Sequence, residues 1–186
     1  MTTYNIYKLL KEELKNGSAD LVTRQSGQVI RERIERDISR EKDGEVIALD
    51  FSKIGVIDYS CADEIIAKLI SRLTSSEYGD KYIVLTGLSE NQKENIEVAL
   101  ERKDLSVMAE MNGEKILIGS LNNYLKETLN LILNKGRITS SELSEALKLP
   151  ANTSGTRLLN LYKKRLVRRI SERGEEGRLW VYLSCL

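Results

Sequence analysis

The chain has 186 residues, of which 41% are hydrophobic and 31% charged, and this suits a globular protein with one domain of average size and a smaller second one. It contains no histidine, the side chain most used for proton transfer near neutral pH and the commonest ligand of transition metals. It also lacks a Gly-rich phosphate loop and the serine-hydrolase and zinc-protease motifs. The composition therefore favours a protein that is not an enzyme and needs no metal or other cofactor.

Sequence features also bear on the compartment. No segment reaches the roughly eighteen uncharged apolar residues of a membrane span, and the start, MTTYNIYKLLKEELK, mixes charged and apolar residues where a secretion signal would be uniformly apolar. Cys61 and Cys185 show neither disulfide-framework nor metal-ligand spacing. We expect a cytoplasmic protein with reduced thiols and no membrane association.

The small net charge of +1 hides an asymmetry along the chain. Residues 1–120 carry 17 Lys and Arg against 22 Asp and Glu, a balance of −5, whereas residues 121–186 carry 12 against 6, a balance of +6. This difference predicts two parts that meet different kinds of partner.

Residues 1–19 are predicted to form an N-terminal amphipathic helix. The apolar positions of residues 4–15 recur at the spacing of one helical stripe, and Asn16-Gly17 ends the pattern. A second helix is predicted after Ser26-Gly27, and its run of alternating acids and bases is interpreted as a solvated face held by pairs four residues apart.

The rest of the segment 20–120 alternates between predicted strands and helices. Residues 46–51 and 82–86 are apolar runs that suit buried strands, and two further strands flank Asn112-Gly113, a dipeptide that favours a tight hairpin. Helices are predicted from about Ser60 and after a cap at Ser89. The alternation predicts an α/β domain with a mixed sheet and packed helices.

Residues 121–186 have a different pattern. A helix over 121–133, a short helix over 139–147 with a Ser/Thr cap, and a third helix over 152–165 are followed by two alternating strands around a turn at 174–177. Three helices and a hairpin in this order predict a small C-terminal winged helix-turn-helix domain.

The third of these helices is predicted to read duplex DNA. Its buried stripe is assigned to Leu158, Leu159, Tyr162 and Leu166, which leaves polar side chains on the opposite side. Arg and Asn pair with base edges, whereas Lys and Thr suit phosphates. The predicted DNA-binding residues, with two arginines of the first hairpin strand included, are Thr153, Thr156, Arg157, Asn160, Lys163, Lys164, Arg168 and Arg169.

Other features qualify this DNA-binding prediction. A basic face that serves solubility, or a winged helix that docks a protein, is the alternative interpretation. The acidic hairpin tip, residues 172–178, is expected to stay off the duplex, and Trp180, Tyr182 and Tyr162 are expected in the core. Because one helix reads few base pairs, we expect a homodimer.

The segment VIALDFSKIGVIDYSCADEII places Ile57-Asp58-x-Ser60 between a strand and a helix, and this order resembles the STAS fold of anti-sigma-factor antagonists. It is more similar to a STAS-like domain of unknown function, in which an LDFS strand precedes a VID-x-S-x-ADE helix start. With Arg24 and Ser26-Gly27, the likeness covers roughly residues 20–120. It implies a domain that binds a regulatory protein, for instance a histidine-kinase-type ATPase. In the antagonist branch, the serine matching Ser60 is phosphorylated by its partner kinase.

Asp58 and Ser60 are therefore candidates for a partner site or a phosphorylation switch. The antagonist motif reads Asp-Ser-Ser-Gly, whereas this chain has Asp58-Tyr59-Ser60-Cys61, and a phosphate on Ser60 would gain from the helix N-terminus but be repelled by Asp63 and Glu64. Alternatively, Ser60 is an N-cap worth about 1 kcal/mol, and Asp58 bonds its own backbone after the strand. One serine can serve both roles.

Two functions follow. The first is a non-enzymatic transcriptional or signalling regulator, with a STAS-like partner-binding module at 20–120 coupled to a DNA-binding winged helix at 121–186. The second is a protein-interaction adaptor, in which both modules bind proteins and neither binds DNA.

Overall fold

The computed structural model describes residues 1–14, 18–174 and 177–186. The chain divides into two compact units, Met1–Ser120 (the first unit) and Leu121–Leu186 (the second unit). Within the described residues, no helix is long and apolar enough to cross a membrane.

The first unit is built on a five-stranded sheet with the order β1-β2-β3-β4-β5, in which β1 to β4 are parallel and β5 is antiparallel to β4. The strands are β1 Thr2–Asn5, β2 Val46–Asp50, β3 Tyr82–Thr86, β4 Ser106–Met111 and β5 Glu114–Gly119. The helices are α1 Ile6–Leu14, α2 Arg24–Ile38, α3 Tyr59–Ala62, a π-helix Asp63–Ala67, α4 Lys68–Thr74 and α5 Glu90–Glu101. This mixed α/β architecture agrees with the predicted fold class.

The central strands β2 and β3 are apolar because nearly all of their side chains are buried. Four of the five residues are buried in each strand. Parallel pairing aligns them residue by residue, from Val46 opposite Tyr82 to Asp50 opposite Thr86. Their carboxyl ends therefore lie at one edge of the sheet, from which the chain leaves towards α3 and α5.

The N-terminal segment starts with a strand, which the sequence interpretation missed. The helix predicted from residue 4 begins at Ile6 because Thr2–Asn5 pairs in parallel with β2, and the Asn5 side-chain amide donates to Asp50 at 2.8 Å. Ile6 and Leu10 are fully buried in the main core, so this helix is packed within the first unit. The predicted terminator Asn16-Gly17 lies outside the described residues.

The hairpin between β4 and β5 confirms the prediction made from Asn112-Gly113. Met111 is paired with Glu114, and the two residues between them have φ values of 53° and 80°. Asparagine and glycine tolerate this left-handed conformation, so the dipeptide fixes the register of the antiparallel edge strand.

In its described residues, the second unit has three helices and a three-stranded antiparallel sheet with the order β6-β8-β7. Its elements are α6 Asn123–Lys135, β6 Arg137–Thr139, α7 Ser140–Leu147, α8 Ala151–Lys163, β7 Val167–Gly174 and β8 Gly177–Ser184. The predicted cap of α7 is confirmed, because Thr139 and Glu142 form a reciprocal capping box. The short strand β6 was not predicted, and it is too brief to show a period of two.

Candidate functional site

The N-terminus of α3 is capped by Asp58 rather than Ser60. The Asp58 carboxylate accepts a hydrogen bond from the backbone N–H of Cys61 at 2.8 Å, and the Asp58 backbone is extended, with φ −79° and ψ 168°. The Ser60 hydroxyl instead donates to the two Asp58 carboxylate oxygens, at 2.9 and 3.1 Å. The prediction that Ser60 is the N-cap is wrong, because the helix begins at Tyr59. The alternative interpretation of Asp58 as a backbone-bonding residue agrees with these contacts.

The N-terminus of α2 lies beside that of α3. Thr23 caps α2 by accepting from the backbone of Ser26 at 3.1 Å, and its carbonyl accepts from the Cys61 thiol at 2.9 Å. A Cβ on Gly27 would lie 3.1 Å from Cβ of Glu64, so glycine permits this close approach. Burial raises the pKa of Cys61 to about 11, and the neutral thiol gives no support to a redox role.

Two consecutive carboxylates on the π-helix are buried next to these helix starts. One Arg24 guanidinium nitrogen lies 3.0 Å from Asp63 Oδ2 and 3.0 Å from Glu64 Oε2. Arg31 lies 3.3 Å from the other Glu64 oxygen, and Lys103 lies 2.7 Å from the other Asp63 oxygen. Each carboxylate therefore pairs with more than one cation, and Arg24 bridges the two.

The electrostatics of this carboxylate pair keep both groups ionised. Burial acts to raise the pKa of Glu64, but Lys68 and Arg31 outweigh it, and the net pKa is lowered. Burial also acts to raise the pKa of Asp63, but Lys103 and Arg24 outweigh it, and the net pKa is lowered. Two carboxylates shifted in the same direction do not form the acid and base pair that carboxylate catalysis uses.

Sequence reasoning did not find this network. Arg31 was placed on a solvated helix face, whereas it is 5% exposed and bonded to Glu64 as well as to Glu35. The available signal was the position of Asp63 and Glu64 inside an apolar helical stripe, since buried acids require cationic partners. Within the described residues, no group of three or more Cys, Asp or Glu side chains could hold a metal ion.

The predicted recognition helix, α8, is rotated from its expected orientation. Leu158 and Leu166 are buried as predicted, but Leu159 and Tyr162 are only half-buried, and Leu161 is fully buried instead. The rotation leaves the predicted DNA-binding residues unequally accessible. Thr156 and Lys163 are exposed, and Thr153, Arg157, Asn160, Lys164, Arg168 and Arg169 are intermediate.

Arg157, predicted to read bases, is held by α6. Its guanidinium lies 2.9 Å from Glu127 Oε2, donates to the Tyr124 carbonyl at 3.3 Å and lies 5.3 Å from the Tyr124 ring centre. The Arg157 side chain is only 15% exposed. These groups border a groove of about 410 Å³ that is lined by Tyr124, Asn152, Thr153, Thr156, Arg157 and Asn160.

The hairpin of the second unit carries arginines stacked on aromatic rings. Arg169 lies 4.5 Å from the Tyr162 ring centre and 4.1 Å from that of Trp180, and Arg178 lies 4.3 Å from Trp180. Tyr182 is buried as expected, but the core prediction for Trp180 is wrong, because its side chain covers the hairpin surface and is 37% exposed.

The acids of the hairpin tip are only partly described. Glu172 pairs with Arg137 at 2.8 Å, so its charge is compensated within the unit. The remaining tip acids, Glu175 and Glu176, lie outside the described residues. The expectation that the tip stays off a duplex therefore remains a prediction.

Residues 26–93 match the model of a family described as a STAS-like domain of unknown function. The first unit contains a STAS-like domain. The match includes Asp58, Ser60, Asp63 and Glu64, and it begins after Arg24. The resemblance drawn from the LDFS and VID-x-S segments is confirmed to this extent. No curated protein matches the chain.

Proposed function

We propose that this chain is a non-enzymatic regulator in which residues 121–186 form a winged helix-turn-helix that binds duplex DNA. The STAS-like domain binds the regulatory protein that controls this binding. The order of three helices and a three-stranded sheet supports the proposal, as does the position of α8 between the α7 turn and the hairpin.

The observation that carries the proposal is the way in which the second unit holds its cations. Arg169 lies 4.5 Å from the Tyr162 ring centre, and Arg178 lies over Trp180. An aromatic ring orders a guanidinium without cancelling its charge, so it remains available to a phosphate. A unit with a net charge of +6 and arginines ordered in this way fits a polyanion.

Titration of the full-length protein with fluorescent duplex DNA of random sequence tests this function. Binding should weaken as salt rises, with a slope of about −0.9 in log K per phosphate contact. Replacing both Lys163 and Lys164 with alanine should lower the affinity and flatten this slope by up to about 2. Lys53→Ala, an exposed charge change in the first unit, is the matched control and should leave the slope unchanged. Lack of salt-dependent binding in the wild type would contradict the proposal.

Base reading is assigned to Asn160, because the Arg157 side chain is engaged by Glu127. Asn160→Ala should reduce discrimination between selected and random duplexes by about 1–3 kcal/mol, with little change in the salt slope. Equal weakening on every sequence would show that Asn160 does not contact a base. The stoichiometry in the same titration tests the proposed homodimer.

A second candidate function, the protein adaptor, is favoured by two exposed valines on the segments that precede α2 and α3. Val22 and Val56 are 51% and 52% exposed, and they lie on adjoining segments because Leu21 donates its backbone N–H to the Val56 carbonyl. Exposed valines on these two segments suit a protein partner such as a histidine-kinase-type ATPase. Intact-mass analysis across growth states tests the associated switch at Ser60, and a chain that never carries a phosphate would remove it.

A further inference from the structure

We infer that Glu127 is a specificity-determining residue, which holds Arg157 back from nonspecific contact with the DNA backbone. This inference rests on the proposed DNA-binding function of the second unit and names how one of its arginines is controlled. Glu127 and Tyr124 belong to α6, so the control comes from outside the recognition helix.

Arg157 has three contacts with one neighbouring helix. The Glu127 carboxylate, the Tyr124 carbonyl and the Tyr124 ring fix the position and the direction of its guanidinium. The neighbouring Thr156 and Lys163 are exposed. A nonspecific encounter with DNA therefore meets lysine and hydroxyl groups, while the charge of Arg157 is already compensated.

The chemistry of the competing acceptors explains the selectivity. A DNA phosphate offers one anion in exchange for another, so replacing Glu127 by phosphate brings Arg157 little net gain. Pairing with Glu127 therefore lowers the contribution of Arg157 to nonspecific binding, which depends on phosphate contacts.

The size of the expected effect follows from the exposure of the ion pair. Glu127 is 57% exposed. An ion pair with a solvated carboxylate changes an equilibrium constant by a factor of up to about five, so Glu127 can lower the DNA affinity contributed by Arg157 by that factor. Removing the carboxylate should therefore raise affinity for random duplex DNA about threefold to fivefold and steepen the salt slope by about 1, because Arg157 becomes free to contact a phosphate.

The experiment measures binding of the full-length protein to random duplex DNA over a salt series for wild type, Glu127→Gln, Arg157→Gln and the double variant. Glu145→Gln on α7 is the matched control, because it removes an exposed acid of the same unit. Circular dichroism establishes that each variant is folded. The inference predicts a gain for Glu127→Gln that exceeds the gain for Glu145→Gln and vanishes when Arg157 is also changed.

Each outcome separates the inference from the proposed function. An equal gain for the two single acid variants, or a gain that persists without Arg157, would show a general charge effect and overturn the inference alone. A loss of affinity in Glu127→Gln would also overturn it, because Glu127 would then orient Arg157 for DNA. If the folded wild type and all variants fail to bind at low salt, the DNA-binding function itself fails, and the inference with it.

Discussion

Two pairs of arginines, one pair in each unit, are stabilised in different ways. In the first unit, Arg24 and Arg31 lie against the carboxylates of Asp63, Glu64 and Glu35, which neutralise them. In the second unit, Arg169 and Arg178 lie over aromatic rings that leave their charge intact. Arg24 and Arg31 therefore hold helices together, whereas Arg169 and Arg178 are ordered and still able to attract an anion.

The largest effect is expected when Glu64, an acidic residue of the first unit, is removed. Glu64→Ala should lower the free energy of unfolding by about 1.5–3 kcal/mol, because the buried Arg31 would lose its charge-assisted hydrogen bond to Glu64 and keep the one to Glu35. Urea unfolding followed by circular dichroism measures the change. Glu32→Ala is the control, since this acid is 46% exposed and lies 3.7 Å from the same arginine, and it should cost less than about 1 kcal/mol. Equal costs would show that burial of the network contributes nothing.

Acid should weaken the same network by a smaller amount, because protonated Glu64 and Asp63 still accept hydrogen bonds. Their pKa values are lowered in the folded protein, so their contribution is complete above the ordinary carboxyl pKa of about 4 and is lost as pH falls through the folded pKa. Unfolding free energy should therefore fall below about pH 4. The fall should be shallower in a Glu64→Gln variant, and an identical pH profile would exclude this group as its source.

The sequence predicted most of the fold because the elements have strong local signals. The Asn112-Gly113 turn, the Thr139 capping box and the apolar runs of β2 and β3 each specify their structure without distant contacts. By contrast, β1 is a strand only because β2 pairs with it, and such pairing cannot be read from the four residues Thr2–Asn5 themselves.

The candidate sites were less predictable because their contacts are distant in sequence. Helical periodicity placed Arg157 on the polar side of α8, but the acid that holds it lies thirty positions earlier, on α6. The prediction of the α3 cap was wrong for a different reason. Asp58 and Ser60 are both good capping residues, and a sequence pattern locates a helix start only to within one or two positions. Residue types in the sequence were enough to identify these side chains as candidates. Their partners could be known only from the folded structure.

A smaller effect is expected at the Asp58 cap. This carboxylate of the first unit accepts hydrogen bonds from a backbone N–H and a hydroxyl group instead of pairing with an arginine. Asp58→Ala should lower the free energy of unfolding by about 1 kcal/mol, because the Cys61 N–H loses its acceptor. Ser60→Ala should cost less, since it removes a donor to Asp58 and leaves the cap in place. Urea unfolding of both variants gives the comparison, and a larger cost for Ser60→Ala would contradict the assigned cap.

The smallest expected effect comes from a direct comparison of an arginine that lies over an aromatic ring with one that pairs with carboxylates. Arg178→Gln should cost about 0.5–1 kcal/mol, through loss of the contact with Trp180 and of the hydrogen bond to Ser171. Arg33→Gln is the matched change in the first unit, where Arg33 pairs with Glu13 at 2.8 Å and Asp37 at 2.9 Å. Unfolding in low and high salt compares the two.

The cost of Arg33→Gln should shrink in high salt because mobile ions screen the carboxylates, whereas the cost of Arg178→Gln should change little. Trp180 is the single tryptophan of the chain, so its fluorescence reports the guanidinium contact independently of stability. Its emission should shift in Arg178→Gln and stay constant in Arg33→Gln. If salt reduced both costs equally, Arg178 would depend on carboxylates as well, and its contrast with Arg33 would be lost.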